Sequence, residues 1–334
     1  MDSLTQIVLG AAIGEKTLGK KLGNKALLYG AIAGTIPDLD VFVGKWLDPI
    51  TAIEIHRGFS HSILFFVLLS PILGWLLCKI EKKNNISFKQ ATIFWFLGLF
   101  THALLDAFTT WGTQLLYPFD IRFSMHSIFV IDPLYTLPFL VCILLLMRYK
   151  RTNPKRQKLA NLGLIISSCY LLFTVFVQQI VKSKFEARLL EENISYNRKI
   201  TKPSPMNIIL WNAIIETDTG YYLADYSFFD TQAISFNFYP KNADLLTAIQ
   251  NEKVVRQLQW ISEGWWLMTQ KDGQLFLNDI RFGLLTADRQ NPEFSFSYKL
   301  IEDNNSVQAI EVTNKFRGRA GELLAKLWTR LKGN

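Results

Sequence analysis

Long apolar runs occupy the first half of the chain, whereas the second half alternates apolar and polar residues over short distances. Three apolar runs have the length of about 20 residues that crosses the hydrocarbon core of a membrane: His61 to Ile80, Ile128 to Met147 and Leu159 to Val181. Another long run, Ala91 to Leu116, contains His102 and Asp106. The pattern therefore predicts a multi-pass α-helical membrane domain over residues 1–181.

Two further apolar runs near the start of the chain are shorter, Leu4 to Ile13 and Ala26 to Pro37. Fewer than about 17 residues do not cross a bilayer unaided. We therefore expect these segments to be re-entrant, interfacial or packed against the other helices.

Residues 182–334 have the pattern of a soluble domain, with short alternating runs separated by turn residues. Two hairpins are predicted, one pairing Asn207–Ile215 with Tyr221–Phe228 and one pairing Trp265–Gln270 with Leu275–Arg281. A further strand is predicted over Phe294–Leu300, and helices over 245–258 and 321–332. This predicts an α+β domain with antiparallel sheet. We expect its last helix to pack on its own domain, with binding to anionic lipid as the alternative.

Three groups of basic residues indicate the membrane topology. They are Lys16, Lys20, Lys21 and Lys25; Lys79, Lys82, Lys83 and Lys89; and Arg148, Lys150, Arg151, Lys155, Arg156 and Lys158. Basic loops of membrane proteins face the cytoplasm, so the intervening loops and the domain 182–334 are expected outside the cytoplasm. The location expected is a bacterial inner membrane. A nucleic-acid partner is not expected from the net charge of +8, because these charges form no single stripe.

The start of the sequence and its cysteines argue against a cleaved signal peptide and against cysteine-based sites. The start Met1-Asp2-Ser3 has an acid where a signal peptide has basic residues, so a cleaved signal is not expected. All three cysteines, Cys78, Cys142 and Cys169, lie inside apolar runs without partner motifs. They are expected to be small buried residues, neither disulfides nor zinc ligands.

All four histidines occur in the first 126 residues, where polar groups beside lipid need a compensating partner. In His102-Ala103-Leu104-Leu105-Asp106, the i, i+4 spacing places imidazole and carboxylate on one helix face, where both can bind one cation. A histidine held by its neighbouring carboxylate without metal is the alternative.

A second motif, His56-Arg57-Gly58-Phe59-Ser60-His61, has two imidazoles where a loop enters a helix. Gly58 permits a bend, Ser60 is placed to cap the helix, and Arg57 can bind an anionic group. Upstream, Asp38 and Asp40 end an apolar helix at the same level. Carboxylates combined with imidazoles suit zinc, with manganese and iron as alternatives.

Other polar residues near these motifs are interpreted as supporting groups. Asp132 is expected to hydrogen-bond a ligand histidine or to pair with an arginine, and His126 to be solvated. Thr109, Thr110 and Gln114 are expected to pack between helices. The alternative is that they orient the metal ligands or water. A serine hydrolase is disfavoured because no Gly-x-Ser-x-Gly motif occurs.

The chain resembles the YdjM family, described as inner-membrane metal-dependent hydrolases. The matching segments are 1–5, 34–40, 56–62, 102–106 and 131–133. That family is in turn distantly similar to zinc-dependent phospholipase C and P1 nuclease. The resemblance implies His102, Asp106, His56, His61 and Asp38 as metal ligands, with Asp40 as a further candidate. Many members have histidine where this chain has Gln6, which implies fewer bound metals here.

These observations lead to one leading hypothesis, a membrane-bound metal-dependent hydrolase that cleaves an ester or phosphoester of a lipid or lipid-linked substrate at the outer leaflet. Asp38 or Asp40 would act as base, and Arg57 would stabilise anionic charge. The alternative is a non-enzymatic membrane protein with a structural metal or ion-pair site and a partner-binding outer domain. A transporter is disfavoured, because the polar residues cluster at one face. The oligomeric state stays open.

Overall fold

The helical part of the protein comes first in the chain. A computed structural model describes residues 1–285, 292–303, 306–313 and 318–334. The α-helices of the first part are α1 Ser3–Leu22, α2 Asn24–Ala33, α3 Asp40–Gly44, α4 Pro49–Ile55, α5 Ile63–Ile80, α6 Phe88–Asp106, α7 Pro133–Leu146 and α8 Pro154–Glu191. Short 3-10 helices, Ile36–Leu39 and Phe59–His61, precede α3 and α5.

Two helices of the described residues, α5 and α8, are long and apolar enough to span a membrane. A third span results if α2 and the segment Ile36–Gly44, bent by 47°, are counted as one broken span. The run predicted over Ile128–Met147 forms a helix only over Pro133–Leu146, because the Asp132 side chain caps its first turn. The run Ala91–Leu116 likewise stays helical only as far as Asp106.

The caps of these helices explain where they begin. Ser62, and not Ser60 as predicted, caps α5 by accepting a hydrogen bond from the Phe65 amide at 3.1 Å. Asp132 accepts hydrogen bonds from the amides of Leu134 and Tyr135 at 2.9 and 3.2 Å. The Tyr170 hydroxyl donates to the same carboxylate at 3.0 Å. Asp132 is therefore a capping residue, and the hydrogen-bond partners of its side chain within the described ranges include no histidine or arginine.

Helices α1 and α2 pack backbone to backbone through small residues. A methyl group added at Gly10 would lie 2.1 Å from the Gly30 carbonyl oxygen, and one added at Gly34 would lie 2.3 Å from the Gln6 oxygen. Such close approach is available only to glycine, and small residues are typical of helix contacts in membranes. This contact brings Gln6 and Gly34 to one end of the helix pair.

The three basic groups meet at the other end of the helices. Lys21 donates to the Asn85 carbonyl at 2.5 Å, and Arg151 donates to the Lys21 carbonyl at 2.6 Å. A fully buried ion pair joins Arg156 to Glu15 at 2.6 Å. The helical part therefore has one strongly basic end, as the charge pattern predicted.

The α+β part contains two antiparallel four-stranded sheets, which confirms the predicted fold class. The first has the order β1 Arg198–Pro203, β2 Leu210–Glu216, β3 Gly220–Ser227 and β4 Asn237–Pro240. The second has β5 Trp266–Lys271, β6 Gln274–Leu284, β7 Phe294–Asp303 and β8 Ser306–Glu311. Both predicted hairpins, β2–β3 and β5–β6, are present.

The remaining helices of this part are α9 Lys253–Ile261 and α10 Ala320–Leu331. The helix predicted over 245–258 is thus divided, because a 3-10 helix Ala243–Leu246 precedes α9. Helix α10 is held to the first sheet by the ion pair Arg330–Asp230 at 2.6 Å and by the Ser227 hydroxyl, which donates to the Leu331 carbonyl.

The chain divides into two compact units. Residues 1–43, 55–176 and 205–207 form the helical unit, and residues 44–54, 177–204 and 208–334 form the second unit. The boundary lies inside α8, because the last turns of that helix pack on the first sheet through Val181, Phe185 and Leu189 against Trp211. These apolar contacts make the end of α8 part of the core of the second unit.

Candidate metal centre

Four side chains from three segments converge at the end of the helical unit opposite the basic loops. Asp38 lies on the first 3-10 helix, His61 ends the second, and His102 and Asp106 lie in the last turns of α6. One ligand atom from each side chain lies within 4.8 Å of the other three. The sequence motifs are thus brought together by folding, over a separation of up to 68 positions.

The two imidazoles face each other. His61 Nε2 and His102 Nε2 are 3.3 Å apart. Asp38 Oδ1 lies 3.3 Å from the first nitrogen and 3.4 Å from the second. Asp106 Oδ2 lies 3.7 and 3.8 Å from the same nitrogens. Atoms bound tetrahedrally to zinc at about 2.1 Å are about 3.4 Å apart, so this spacing fits a single ion.

A backbone carbonyl determines which nitrogen of His102 is free. His102 Nδ1 lies 2.7 Å from the Gly34 carbonyl oxygen, which can only accept a hydrogen bond. Nδ1 therefore carries the proton, and Nε2 of the neutral ring presents its lone pair to the other three ligand atoms. Hydrogen bonds of this kind orient metal-binding histidines in other proteins.

Ser60 and Asp40 perform the same task for His61. The Ser60 hydroxyl donates to Asp40 Oδ2 at 2.7 Å, so its oxygen accepts a hydrogen bond from His61 Nδ1 at 3.0 Å. Asp40 is held in turn by His56 Nδ1 at 2.8 Å and by the Arg57 amide at 3.2 Å. This chain of contacts leaves His61 Nε2 as the unprotonated nitrogen.

The four ligand atoms of the centre thus face one another as acceptors, and the Arg57 guanidinium lies beside one of them, Asp106 Oδ2. His61, His102 and Asp106 are fully buried, whereas the Asp38 side chain is 26% exposed. Asp106 Oδ2 is buried and accepts no hydrogen bond from any described residue. Buried acceptors that face one another are costly unless a cation or a proton lies between them. The donor set of two imidazoles and two carboxylates suits a divalent metal.

Two positive groups and one neutral amide contact the Asp106 carboxylate. Its Oδ1 contacts the amino group of Met1 and accepts a hydrogen bond from Gln6 Nε2 at 3.0 Å. Arg57 Nη2 lies 3.3 Å from Oδ2. Gln6 Oε1 is buried without a hydrogen bond in the described part of the chain.

Arg57 has an unusual backbone conformation for a non-glycine residue. Its φ is 63°, in the left-handed region, although the side chain is large and only 7% of the residue is exposed. The Thr109 hydroxyl accepts a hydrogen bond from Arg57 Nη1 at 3.2 Å, and Nε has no partner among the described residues. Non-glycine residues in this region concentrate at functional sites.

The structure separates the other predicted ligands from the four that converge. His56 pairs with Asp40 and is not part of the group of four, and Asp40 contacts the group through Ser60. His126, which the sequence does not predict as a ligand, lies outside the group as well. The sequence could not predict the contacts of the Gly34 carbonyl with His102 and of the Met1 amino group with Asp106, because every residue has the same backbone groups.

Comparison with known proteins gives three bacterial relatives, one of them described as an inner membrane protein. The chain is similar to the uncharacterized protein YfhP of Bacillus subtilis, with 26% identity over 234 residues that cover 67% of each chain. It is 25% identical to the uncharacterized protein YvsG of Bacillus subtilis over 154 residues, 44% of this chain and 78% of the relative. Identity to the inner membrane protein YbcI of Escherichia coli is 29% over 108 residues, 32% and 57% of the two chains.

No solved structure gives a significant match. The distant similarity to phospholipase C and P1 nuclease is accordingly not shown. The family described as "YdjM inner membrane protein" matches residues 1–181, which include all four residues of the centre. The chain therefore belongs to the YdjM family of inner membrane proteins.

Proposed function

We propose that this protein is a membrane-bound metal-dependent hydrolase that cleaves an ester or phosphoester of a lipid or lipid-linked substrate. The observation that carries the proposal is the set of four buried or half-buried acceptor atoms, Asp38 Oδ1, His61 Nε2, His102 Nε2 and Asp106 Oδ2, at the spacing of ligands around one ion. Zinc is the proposed metal, because two imidazoles and carboxylates are typical of catalytic zinc sites.

The differences in burial suggest separate roles for the four residues. His61, His102 and Asp106 are fully buried and would hold the ion, whereas Asp38 is on the exposed side. A bound divalent metal supplies an acidified water and polarises a carbonyl or phosphoryl oxygen. Asp38 is placed to accept the proton of that water. Asp40 is less suited to be the base, because His56, Ser60 and the Arg57 amide already use its oxygens.

Arg57 is the residue proposed to bind the anionic part of the substrate. Its guanidinium lies 3.3 Å from Asp106 Oδ2, directly beside the ligand atoms, and its Nε has no described partner. A guanidinium can donate two parallel hydrogen bonds to a phosphate or to a developing oxyanion. It would therefore stabilise the negative charge that forms during hydrolysis.

The membrane context supports an amphiphilic substrate. Asp38 is in the bent segment that follows α2, and the residues after it, Val41, Phe42 and Val43, are exposed apolar side chains. A site bordered by such residues is reached most readily by molecules already in the bilayer. Because the basic loops form the opposite end, the positive-inside rule supports an opening toward the outer leaflet.

Metal content and turnover test the proposal together. The purified protein in nanodiscs is analysed by plasma mass spectrometry and incubated with a panel of phospholipids and other lipid esters. We expect about one metal ion per chain and release of a product from at least one lipid. The variant His102→Ala should lose both, whereas His126→Asn, which changes a histidine outside the centre, should keep both.

Two results would overturn the catalytic proposal. One is a protein without metal, purified under metal-replete conditions. The other is turnover that His102→Ala leaves unchanged, because the chemistry would then occur elsewhere.

A non-enzymatic function is the second candidate, and one observation favours it. Asp106 already contacts two positive groups, the Met1 amino group and Arg57, so ion pairs alone neutralise much of the buried charge. In that case the centre would stabilise the packing of the helices, and the second unit would bind a partner. His61→Ala would then lower the melting temperature in a protein that shows no turnover on any lipid.

The location of residues 182–334 outside the cytoplasm is also a proposal. It is tested with single cysteines at Asp272, in the β5–β6 turn, and at Lys83, in a basic loop, after replacement of the three native cysteines. A membrane-impermeant maleimide applied to spheroplasts should label the first position only. Labelling of the cysteine at position 83 alone would show that the topology is the opposite of the proposed one.

A further inference from the structure

The basic end of the helical unit contains a groove that the proposed reaction does not use. The groove has a volume of about 230 Å³ and lies where the chain passes from α7 to α8, lined by Tyr149, Lys155, Lys158, Leu159 and Leu162. It is far from the metal centre along the helices. Gln6, near the start of α1, contacts Asp106, whereas Asn24, just after the end of α1 at Leu22, donates to the Met147 carbonyl beside the groove. The 16 residues from Gln6 to Leu22 within α1 rise about 24 Å at 1.5 Å per residue.

Two lysines border the groove, whose wall is otherwise mostly apolar. Lys155 and Lys158 are both exposed and three residues apart, so they lie on one face of α8. Lys155 Nζ lies 5.6 Å from the centre of the Tyr149 ring, and no carboxylate of the described residues forms an ion pair with either lysine. Their neighbour Arg156 differs, because Glu15 neutralises it in the interior at 2.6 Å. The groove therefore offers two ammonium groups to an external anion.

The other side of the groove is apolar and continues along the membrane-spanning part of α8. Leu162 is 46% exposed, Ile165 59% and Leu172 67%, and their spacing places them in one stripe. From Leu162 to Leu172 the helix rises about 15 Å, which is half the thickness of the hydrocarbon core. The stripe thus has the length of the acyl chains in one leaflet.

We propose that this groove and the stripe below it bind one anionic phospholipid from the leaflet at the basic end. The phosphate lies between Lys155 and Lys158, and an acyl chain follows Leu162, Ile165 and Leu172. A small soluble anion would leave the apolar stripe unused, and the cationic headgroup of a zwitterionic lipid would be repelled by the two lysines. Basic pockets at the cytoplasmic ends of membrane helices are suited to anionic headgroups.

Native mass spectrometry tests the proposal on the full protein released from nanodiscs of equal parts phosphatidylglycerol and phosphatidylcholine with matched acyl chains. We expect one retained phosphatidylglycerol per chain, at least fivefold over phosphatidylcholine. The double variant Lys155→Gln/Lys158→Gln should lose this preference. The control Lys16→Gln/Lys20→Gln removes the same charge from two exposed lysines of α1 and should retain it.

A second variant separates the headgroup from the acyl chain. Leu162→Asn keeps both lysines and should reduce retention of phosphatidylglycerol at least threefold. Equal losses in the control and in the groove variant would overturn the proposal, because the binding would then follow net charge alone. Competition by glycerol phosphate at the same concentration as the lipid would overturn it as well, because the acyl chain would contribute nothing.

Discussion

The Nε2 atoms of His61 and His102 face each other at 3.3 Å, although 41 positions separate the two residues in the chain. Each ring uses its Nδ1 for a hydrogen bond to a fixed acceptor, Ser60 for His61 and the Gly34 carbonyl for His102. Two lone pairs are thereby directed at the same point. This relationship is the physical basis for expecting a bound cation, and it makes the residues behind the rings testable.

Ser60 orients His61 without belonging to the group of four. The substitution Ser60→Ala removes the acceptor of His61 Nδ1 and frees the ring to rotate, so zinc affinity should fall by roughly 10–100-fold. Competition with a chromophoric chelator measures this affinity. Ser195→Ala, an exposed serine of the second unit, is the control and should change nothing. Wild-type affinity in Ser60→Ala would show that the hydrogen bond is incidental.

Arg57 should affect turnover more than metal binding. Arg57→Lys retains the charge beside Asp106 but cannot donate two parallel hydrogen bonds, so hydrolysis should slow by roughly a hundredfold with the metal content unchanged. The measurement is initial rate and metal content on the same preparation, with the exposed Arg148→Lys as control. If metal and activity fall in parallel, Arg57 supports the ligands and does not bind substrate.

The buried ion pair between Arg156 and Glu15 should dominate the stability of the basic end. Arg156→Met leaves the Glu15 carboxylate buried and unpaired, so we expect a loss of about 3–5 kcal/mol in the free energy of unfolding. The double variant Glu15→Leu/Arg156→Met removes both charges and should recover much of this loss. Thermal unfolding in detergent compares the two. A double variant as unstable as the single one would contradict the argument.

The second unit contains a buried lysine whose titration should be visible in stability. Lys202 is 7% exposed, its ammonium group forms no ion pair with a described residue and lies 5.9 Å from the centre of the Phe282 ring, and burial lowers its pKa to about 8. The unfolded chain has the ordinary lysine pKa of about 10.4 and so binds more protons between these values. Stability contributed by this group therefore rises as the pH increases from about 8 to about 10.4.

The variant Lys202→Met isolates this effect. At pH 7 the charged amine is buried at a cost, so the variant should melt at a higher temperature than the native protein. The difference should shrink as the pH is raised through that window. Tryptophan fluorescence, with the buried Trp211 as a reporter in the same unit, follows the transition. A difference independent of pH would mean that Lys202 is not desolvated.

Local pattern predicted much of the fold. The hairpins around 217–220 and 271–273 follow from alternating residues on either side of turn sequences, and both are present. The spans α5 and α8 follow from apolar length. Helix ends were less predictable. Asp132, the fifth residue of the apolar run that starts at Ile128, caps α7, and Ser62 caps α5 where Ser60 was predicted to do so.

Spacing within one helix also indicated that His102 and Asp106 share a face, because residues four apart are neighbours on any α-helix. The sequence by itself determined this pair, the segments that are apolar enough to cross a membrane, and the basic character of one end. Only the tertiary structure decided that Asp38 and His61 join the pair while His56 turns to Asp40. The reason is physical: which faces of separate segments meet depends on long-range packing, such as the backbone contact of Gly10 with Gly30, and no local spacing encodes it.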